Sequence, residues 1–316
     1  MKKYYYCIDV GGTAIKGGII DEDNNIVSQA KIKTVVSKEP NYLTNSIMSI
    51  VDMLEKDSNL PLKKSSGLGI GVPGLIDSEK GIIRFSGNLK LTEYPLKEEL
   101  EKQVSVPVKI ANDADIATLA ELYAGAGKPY KNFIMLTLGT GIGSGIVLDG
   151  KLLSTFLPLS GEIGHIKISN TKEPCSCGDY DCFEALASTK ALVKLTKQAM
   201  QNNPKSQMWT KYNLDNVNGK TIFDFLDTDA SAKQVFNQFI ENLGTGIVSL
   251  INIFAPEAIV IGGAISNEKD TILKPLKDYV DKRIYIGNIG LKSNIVIAKQ
   301  TGNAGILGGK FLFIGE

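Results

Sequence analysis

The only histidine of the chain and three of its four cysteines lie close together in the sequence, at His165, Cys175, Cys177 and Cys182. Thiolate sulfur and imidazole nitrogen are the ligands that tetrahedral zinc prefers, and a site with four protein ligands is closed and structural. The alternative is a disulfide, but cysteines two positions apart are poorly placed to form one, and the expected compartment is reducing. The cluster therefore predicts a structural Zn²⁺ site. Cys7, in an apolar segment, is expected to be a buried thiol.

Two glycine-rich segments have the composition of phosphate-binding loops. The first runs from Asp9 to Lys16 through Gly11, Gly12 and Thr13, and the second, residues 138–145, has glycine at four alternate positions and includes Gly139, Thr140 and Gly141. Adjacent glycines let backbone N–H groups approach phosphate oxygens without a Cβ in the way, and Asp9 offers a carboxylate suited to hydrated Mg²⁺. The alternative is a pair of tight hairpin turns, but a bare hairpin needs only one or two glycines. The two segments together predict a polyphosphate site.

Polar side chains next to these segments are candidates for acid–base chemistry and sugar binding. Asn112 and Asp113 follow a predicted strand and precede a predicted helix. Asp113 is therefore either the helix N-cap or a general base at the carboxyl end of a strand, and the residue types leave both open. Glu162 and Glu184 flank the metal cluster, and each is either a reader of adjacent sugar hydroxyls or an exposed loop carboxylate. If His165 binds metal through one ring nitrogen, the other is left for a hydroxylated ligand or a carboxylate.

Short apolar runs that end at glycines position these residues. Tyr4–Val10 and Phe133–Leu138 each end in a glycine turn followed by a second apolar run, which predicts two strand–turn–strand hairpins. Aligned on their glycines, the two hairpins also match at Asp21 and Asp149, which indicates an internal duplication and two similar lobes. Residues 69–74 match the G-x-G-x-x-G pattern, but no helix is predicted after them, which argues against a dinucleotide-binding fold.

Hydrophobic periodicity predicts a mixed α/β chain. The predicted helices cover about residues 42–54, 96–103, 114–124, 188–201, 232–254, 271–281 and 304–311. The predicted strands outside the hairpins cover about residues 67–71, 106–110, 258–261 and 294–298. The longest apolar tract, residues 243–265, is interrupted by Asn252, Pro256 and Glu257, so we expect a helix, a turn and a strand there and not a membrane span.

Composition and charge exclude several classes of protein. The chain has 316 residues, 43% of them hydrophobic and 22% charged, which suffices for about two domains with sizeable cores. A formal net charge of +1, without basic runs interleaved with aromatic residues, predicts that nucleic acid is not a partner. The N-terminal segment lacks a signal-peptide pattern and no membrane span is predicted, so we expect a cytoplasmic protein with no membrane partner.

These motifs, in this order, resemble the ROK family (repressor, open reading frame, kinase), and within it the bacterial glucokinase-like kinases. The resemblance covers nearly the whole chain and includes both phosphate motifs, residues 69–74, Asn112-Asp113, residues 161–166 and the cluster from Cys175 to Glu184. It implies an actin-like ATPase fold (ribonuclease H-like) of two α/β lobes with a cleft between them. Residues 1–118 would form the small lobe, with a C-terminal helix at about 302–316 packing back on it, and residues 119–301 would form the large lobe with the zinc-binding loop.

The resemblance also implies an ATP-dependent hexose kinase that transfers the γ-phosphate of MgATP to the 6-hydroxyl of its sugar, with glucose as the first expectation. Asp113 would take the proton from that hydroxyl, while positioning and charge stabilisation would supply most of the catalysis. The residues implied for the sugar are Asn88, Asn112, Asp113, Glu162, His165 and Glu184. Those implied for the nucleotide are Asp9, Gly11, Gly12, Thr13, Lys16, Gly139, Thr140, Gly141, Gly262 and Gly263. The cofactors would be Mg²⁺ with ATP and the structural zinc, and because related kinases are often homodimers we expect a homodimer.

Two segments depart from the family pattern. Asp181 replaces the glycine that usually precedes the third cysteine, and residues 89–92 (Leu-Lys-Leu-Thr) replace the Leu-Pro-Gly-Trp that commonly follows Asn88. The second change lies beside the expected sugar site, so N-acetylmannosamine, N-acetylglucosamine and a β-glucoside such as cellobiose are kept as alternative substrates. Fructose is disfavoured by Gly161-Glu162. A repressor is disfavoured because only eight residues precede the first phosphate motif, and a non-catalytic sugar sensor because Asp113 is present.

Overall fold

The fold is that of a computed structural model, which describes residues 3–37, 39, 41–155, 161–285, 287–290, 292, 294–300 and 302–314. The chain divides into two compact units. The first comprises Met1–Lys131, Gly145–Ser160 and Lys299–Glu316, and the second comprises Asn132–Ser144 and Gly161–Ala298. The last two residues of the helix predicted at about 302–316 lie outside the described residues.

Both units contain strands and helices. Up to residue 131 they are β1 (Tyr4–Val10), β2 (Ala14–Asp21), β3 (Ile26–Lys33), α1 (Tyr42–Ser58), β4 (Leu68–Val72), β5 (Leu75–Asp77), β6 (Ile82–Ser86), β7 (Leu91–Tyr94), α2 (Leu96–Glu101), β8 (Val108–Asn112) and α3 (Asp113–Ala124). Then follow β9 (Phe133–Leu138), β10 (Ile142–Leu148), β11 (Lys151–Leu152), α4 (Phe183–Ala187), α5 (Thr189–Asn202), α6 (Ala230–Phe254), β12 (Ala258–Gly263), α7 (Asp270–Asp281), β13 (Asn294–Ile297) and α8 (Ala304–Phe311).

The first unit is built on a five-stranded sheet with the order β3-β2-β1-β4-β8. Strands β1, β2 and β3 are antiparallel neighbours, whereas β1, β4 and β8 run parallel. Asp9 faces Lys16 across the first hairpin and Gly71 on the other side. Because parallel strands end at the same edge of a sheet, the first glycine turn, residue Val72 and residue Asn112 share one edge.

Helices cover both faces of this sheet at a pair of adjacent glycines in β2. A Cβ on Gly17 would lie 3.1 Å from Leu54 of α1, and one on Gly18 would lie 2.6 Å from Ile306 of α8. Successive residues of a strand point to opposite faces, so the two glycines let α1 and α8 approach from opposite sides. Helix α8 also packs on α3, where a Cβ on Gly308 would lie 2.7 Å from the carbonyl carbon of Ile116. The C-terminal helix thus belongs to the core of the first unit.

A second, three-stranded sheet of the first unit, β5-β6-β7, was not predicted from the sequence. Its strands are short and mostly half-exposed, so they lack a strong alternation of apolar and polar residues. The Arg84 guanidinium stabilises the sheet by pairing with Asp77 and Glu93, both at 2.6 Å. Gly74, whose φ of +119° favours glycine, leads from β4 into this sheet. A strand therefore follows the 69–74 pattern, which confirms that it is not a dinucleotide-binding loop.

The second unit contains parallel strands β9, β12 and β13, with β12 in the middle. Helix α6 buries one face, including Leu243, Ile247 and Ile251, against its neighbours. The apolar tract 243–265 is therefore the end of α6, a turn and β12, as predicted. No helix among the described residues is long and apolar enough to cross a membrane.

All helices and strands predicted from periodicity are present, with ends that differ by a few residues. The strand predicted at 106–110 lies two positions later, at Val108–Asn112. Pro107 has no N–H to donate to a strand ladder, and its carbonyl instead accepts a hydrogen bond from the Leu68 N–H at 2.9 Å. This shift brings Asn112 to the end of the strand.

Candidate active site

The first glycine turn is held by hydrogen bonds to Thr34 and is exposed at its tip. The Gly11 N–H donates to the Ala14 carbonyl at 2.9 Å, and the Thr34 hydroxyl donates to the Gly11 carbonyl at 2.6 Å. The Thr34 N–H also donates to the Thr13 carbonyl at 3.0 Å. Gly12 is exposed, and a Cβ placed on it would lie 4.0 Å from the Cβ of Asn88. The turn therefore has a fixed backbone, and Thr34, which sequence reasoning missed, helps to fix it.

Asp9 lies at the base of this turn with its carboxylate against the start of α8. A Cβ on Gly305 would lie 2.5 Å from the Asp9 Cγ, so glycine is required for the helix to pack there. Burial raises the pKa of Asp9, and the nearby Lys16 ammonium partly offsets this effect. A partly buried carboxylate beside a backbone-lined turn has the donor chemistry of a Mg²⁺ ligand, directly or through water. The residues present therefore fit the predicted role.

Asn112, and not Asp113, is the N-cap of helix α3. The Asn112 Oδ1 accepts a hydrogen bond from the Ala114 N–H at 2.7 Å, and its Nδ2 donates to the Gly74 carbonyl at 2.8 Å. Asp113 is the first residue of the helix and is exposed, with an Oδ1 that also lies 3.0 Å from the Ala114 N–H. The capping interpretation of Asp113 is therefore wrong, because Asn112 has that role. A carboxylate in the first turn is stabilised by the helix dipole.

Asn88 is exposed on the loop that follows β6, next to the first glycine turn. The loop is anchored by the buried Leu89, whose carbonyl accepts a hydrogen bond from the Tyr42 hydroxyl at 2.6 Å. The next residue, Lys90, has a φ of +54°. The unusual run after Asn88 therefore makes a tight, well-anchored turn that leaves the Asn88 side chain accessible.

In the second unit, two glycine segments lie side by side at the ends of parallel strands. Gly262 pairs with Thr137 and Gly263 with Leu138, the residue that precedes Gly139. Gly263 has a φ of +88°, and a Cβ on it would lie 2.7 Å from the Leu138 carbonyl carbon, so only glycine fits. The second phosphate motif and the Gly262-Gly263 pair, far apart in sequence, are therefore neighbours.

Glu184 connects the second glycine segment to the cysteine loop. Its Oε2 accepts a hydrogen bond from the Ile142 N–H at 3.1 Å, and its Oε1 accepts one from the Ser176 hydroxyl at 2.9 Å. A Cβ on Gly141 would lie 2.8 Å from the Glu184 Cδ and closer still to Oε2, so Gly141 makes room for this carboxylate. Ser176 was missed by sequence reasoning, although its position between two cysteine ligands marks it as part of the loop.

The four predicted metal ligands come together in the second unit. The ligand atoms of His165, Cys175, Cys177 and Cys182 all lie within 4.8 Å of one another. The Cys177 and Cys182 sulfurs are 3.7 Å apart, and the Cys175 sulfur is 3.8 Å from the His165 Nδ1. Two thiolates bound at about 2.3 Å to a tetrahedral zinc are about 3.8 Å apart, so the spacing fits the ion. All cysteines of the chain are free thiols, and the disulfide alternative is not observed.

The surroundings of the cluster act differently on its cysteines. A backbone hydrogen bond from Asp179 is the main cause that lowers the pKa of Cys177, whereas burial raises the pKa of Cys182 to about 12. The Lys167 ammonium lies 3.3 Å from the Cys182 sulfur and 2.7 Å from the Asp179 carboxylate. A bound cation deprotonates its thiol ligands outright, and Lys167 would offset part of the resulting negative charge.

The two ring nitrogens of His165 face different partners. Nδ1 faces Cys175 as described above, and Nε2 lies 3.9 Å from the Glu162 carboxylate. Burial raises the pKa of Glu162, the His165 charge opposes this, and the Glu184 carboxylate raises it further. Glu162, His165 and Glu184 therefore form one polar group beside the cysteine cluster. These are three of the residues that the family resemblance implies for sugar binding.

The predicted site residues thus form two groups, one on each unit. The first unit brings together Asp9, Gly11, Gly12, Thr13, Lys16, Asn88, Asn112 and Asp113. The second unit brings together Gly139, Thr140, Gly141, Glu162, His165, Cys175, Cys177, Cys182, Glu184, Gly262 and Gly263.

Comparisons with known proteins give the family of this chain. The sequence matches the model of the ROK family over residues 5–316. The glucokinase of Halalkalibacterium halodurans is 34% identical over 313 residues, which are 98% of this chain and 94% of that relative. The xylose repressor of Bacillus subtilis is 30% identical over 291 residues, which are 90% of this chain and 71% of the repressor. The structure of a ROK family glucokinase from Streptomyces griseus in complex with glucose and AMPPNP matches with a TM-score of 0.85 at 29% identity, covering 98% of both chains.

The chain therefore belongs to the ROK family. Its α/β architecture is the actin-like ATPase fold of the ROK glucokinase structures. The predictions of the family and of the fold class are both confirmed.

Proposed function

We propose that this protein is an ATP-dependent hexose kinase that phosphorylates the 6-hydroxyl of glucose. The observation that carries the proposal is the exposed Asp113 carboxylate, which stands at the carboxyl end of β8 while Asn112 provides the helix cap. Similarity to kinases named glucokinase, one of them solved with glucose and an ATP analogue, supports the choice of donor and acceptor. A sugar sensor without catalytic activity is the alternative that the assay of turnover tests.

Asp113 is proposed as the general base. It would accept the proton of the attacking hydroxyl as the sugar oxygen bonds to the γ-phosphorus and the bond to the leaving ADP oxygen breaks. The two hydrogen bonds of Asn112 hold the preceding residue, so the Asp113 backbone is fixed at the first turn of α3. A base with little freedom to move is what positioning of an acceptor hydroxyl requires.

The other polar residues are proposed to hold the two substrates. Asn88, Asn112, Glu162, His165 and Glu184 would bind the sugar hydroxyls. Asp9, Gly11, Gly12, Thr13, Lys16, Gly139, Thr140, Gly141, Gly262 and Gly263 would bind the nucleotide, with Asp9 next to its Mg²⁺. The bound Mg²⁺ would neutralise charge on the phosphates. His165, Cys175, Cys177 and Cys182 would hold a structural zinc, which would order the residues between Glu162 and Glu184.

The loop after Asn88 is the segment on which the choice of sugar is proposed to depend. Its backbone conformation, with Lys90 and Glu93 both at positive φ, is held by the buried Leu89. N-acetylmannosamine, N-acetylglucosamine and cellobiose are therefore tested beside glucose, mannose and fructose. The expected homodimer is likewise a proposal, and light scattering against the chain mass of 34.1 kDa tests it.

The test is a coupled assay of ADP release with MgATP and each of these sugars, using wild type, Asp113→Asn and Asp52→Asn. Asp52 is an exposed carboxylate of α1 and serves as a matched control. We expect the highest kcat/KM with glucose, a kcat lower by about 10²–10⁴-fold in Asp113→Asn, and wild-type rates in Asp52→Asn. Full turnover in Asp113→Asn would overturn the role of the base. Preference for another sugar would change the assigned substrate and leave the proposed reaction unchanged. A wild-type protein without turnover on any sugar would favour the sensor.

A further inference from the structure

Asp181, the residue directly before the third cysteine ligand, has an unusual conformation and unusual surroundings. Its φ is +59°, in the left-handed region that glycine adopts most easily and that aspartate and asparagine tolerate better than other residues. Its side chain is nevertheless buried, with 6% of the residue exposed. A glycine at this place would satisfy the backbone alone. The aspartate must therefore be explained by what its carboxylate contacts.

The carboxylate accepts four hydrogen bonds from one short segment of the loop. Its Oδ1 accepts from the Thr171 N–H at 3.2 Å, the Thr171 hydroxyl at 2.9 Å and the Glu173 N–H at 3.0 Å. Its Oδ2 accepts from the Lys172 N–H at 2.9 Å. Three successive backbone N–H groups converging on one anion form a nest, which favours a negative charge.

The backbone of Asp181 is hydrogen-bonded to the same segment and to one further part of the loop. Its N–H donates to the Glu173 carbonyl at 2.7 Å, and its carbonyl accepts from the Ile168 N–H at 3.1 Å. Cys182 follows directly, and Cys175 lies two residues beyond Glu173. Asp181 therefore lies between the segment that leads to the first cysteine ligand and the segment that carries the third.

We propose that Asp181 is a positioning residue of the metal site, whose carboxylate holds residues 171–173 so that Cys175 and Cys182 face each other before the metal binds. The inference rests on the proposed zinc site. The Asp181 carboxylate then orders the loop partly without the ion, which a glycine at this position cannot do. Ordering the ligands in advance lowers the entropy that metal binding must overcome and should appear as tighter binding.

The left-handed backbone and the hydrogen-bonded carboxylate of Asp181 predict opposite changes in zinc affinity for Asp181→Gly. If the left-handed φ decides, Asp181→Gly relieves strain and binds zinc at least as tightly as wild type. If the nest decides, Asp181→Gly binds zinc about 10–100-fold more weakly, the usual cost of losing a group that orients a metal ligand. Asp181→Asn, which keeps one acceptor oxygen, should lie between the two. Lys172→Gly is the matched control, because Lys172 also has a positive φ, of +61°, and its exposed side chain leaves the N–H of the nest in place.

Zinc affinity would be measured by competition with a chromophoric chelator, and ligand geometry by the visible absorption of the Co²⁺-loaded proteins. Hydrogen exchange of the metal-free proteins gives a second readout, because the nest predicts protected amides at residues 171–173 in wild type and Lys172→Gly and faster exchange in Asp181→Gly. Equal zinc affinity and equal exchange in wild type and Asp181→Gly would overturn the inference. A wild type that binds neither Zn²⁺ nor Co²⁺ would instead overturn the metal site, and with it this role of Asp181.

Discussion

Gly141→Ala tests the contact between the second glycine segment and Glu184. Gly139 and Gly141 both lie outside the left-handed region, so alanine meets no φ penalty of that kind at either position. A Cβ on Gly141 would lie 2.8 Å from the Glu184 Cδ, against at least 3.4 Å for ordinary contact, whereas a Cβ on Gly139 has no other atom within 4 Å. The Glu184 side chain must therefore move in Gly141→Ala, and nothing in the protein needs to move in Gly139→Ala.

The cost can be estimated from the bonds that Glu184 loses. The clashing atoms are at the end of a flexible side chain, so the carboxylate can rotate away and the backbone can stay. It then gives up its hydrogen bonds to the Ile142 N–H and the Ser176 hydroxyl. Hydrogen bonds to a charged group contribute about 1.5–3 kcal/mol each, and water recovers part of this at a half-buried site, so we expect a loss of about 1–3 kcal/mol. Displacing a proposed sugar ligand by about 1 Å should lower kcat/KM by up to about 10²-fold.

The assay is a double-mutant cycle of Gly141→Ala with Glu184→Ala, in urea unfolding and in sugar kinetics. If the alanine acts by displacing Glu184, it should cost little more once Glu184 is absent, within about 0.5 kcal/mol. Gly139→Ala should leave the free energy of unfolding unchanged and, as a proposed nucleotide residue, raise the KM for ATP. Additive effects of Gly141→Ala and Glu184→Ala would refute the reasoning, and so would a Gly141→Ala protein with wild-type stability and sugar KM.

Two further predictions concern a fully buried and a partly buried carboxylate of the first unit. Glu121 is fully buried in α3 and accepts hydrogen bonds from the backbone N–H groups of Ala126, Lys299 and Gln300 at 2.5, 3.1 and 2.6 Å. Unsatisfied buried donors cost about 1–3 kcal/mol each, so Glu121→Ala should lower the free energy of unfolding by several kcal/mol, and Glu121→Gln by less. Urea unfolding of the two variants measures both losses. Burial raises the pKa of Asp9 above 3.8, so the folded state binds the carboxyl proton more tightly than the unfolded state does. The stability that this proton contributes is lost as pH rises from about 3.8 through the raised pKa. Asp9→Asn should therefore be more stable than wild type at pH 7 and equal to it near pH 3, and a difference that does not change with pH would contradict the burial argument.

Local chemistry explains why much of the site was predictable. The Cys175-Ser-Cys177 spacing, the alternate glycines from Gly139 onward and the Asn112-Asp113 pair lie within short stretches, and their chemistry depends on residue type and spacing. The hydrophobic periodicity of α1, α6 and α8 likewise repeats within each helix, so their existence needed no knowledge of the fold. The family pattern added roles to the same residues.

Other features depend on contacts between residues that are distant in the chain. The sequence could not show that Glu184 lies on Gly141 and Ser176, or that Glu121 accepts hydrogen bonds from residues near the C-terminus. The three-stranded sheet β5-β6-β7 was missed because its short strands are stabilised by cross-strand pairs such as Arg84 with Glu93 and not by a strong pattern of their own.

The N-cap of α3 also could not be assigned from the sequence, although the two candidates are adjacent residues. Asn112 and Asp113 are equally good caps by type. What distinguishes Asn112 is a hydrogen bond from its amide to the carbonyl of Gly74, which lies between β4 and β5. Asp181 was visible in the sequence only as a departure from the family, and the nest at residues 171–173 supplies its explanation. The sequence by itself determined which chemical groups are available and in which elements they lie. The tertiary structure decided which of them touch, because hydrogen bonds and close packing depend on distances that spacing along the chain does not set.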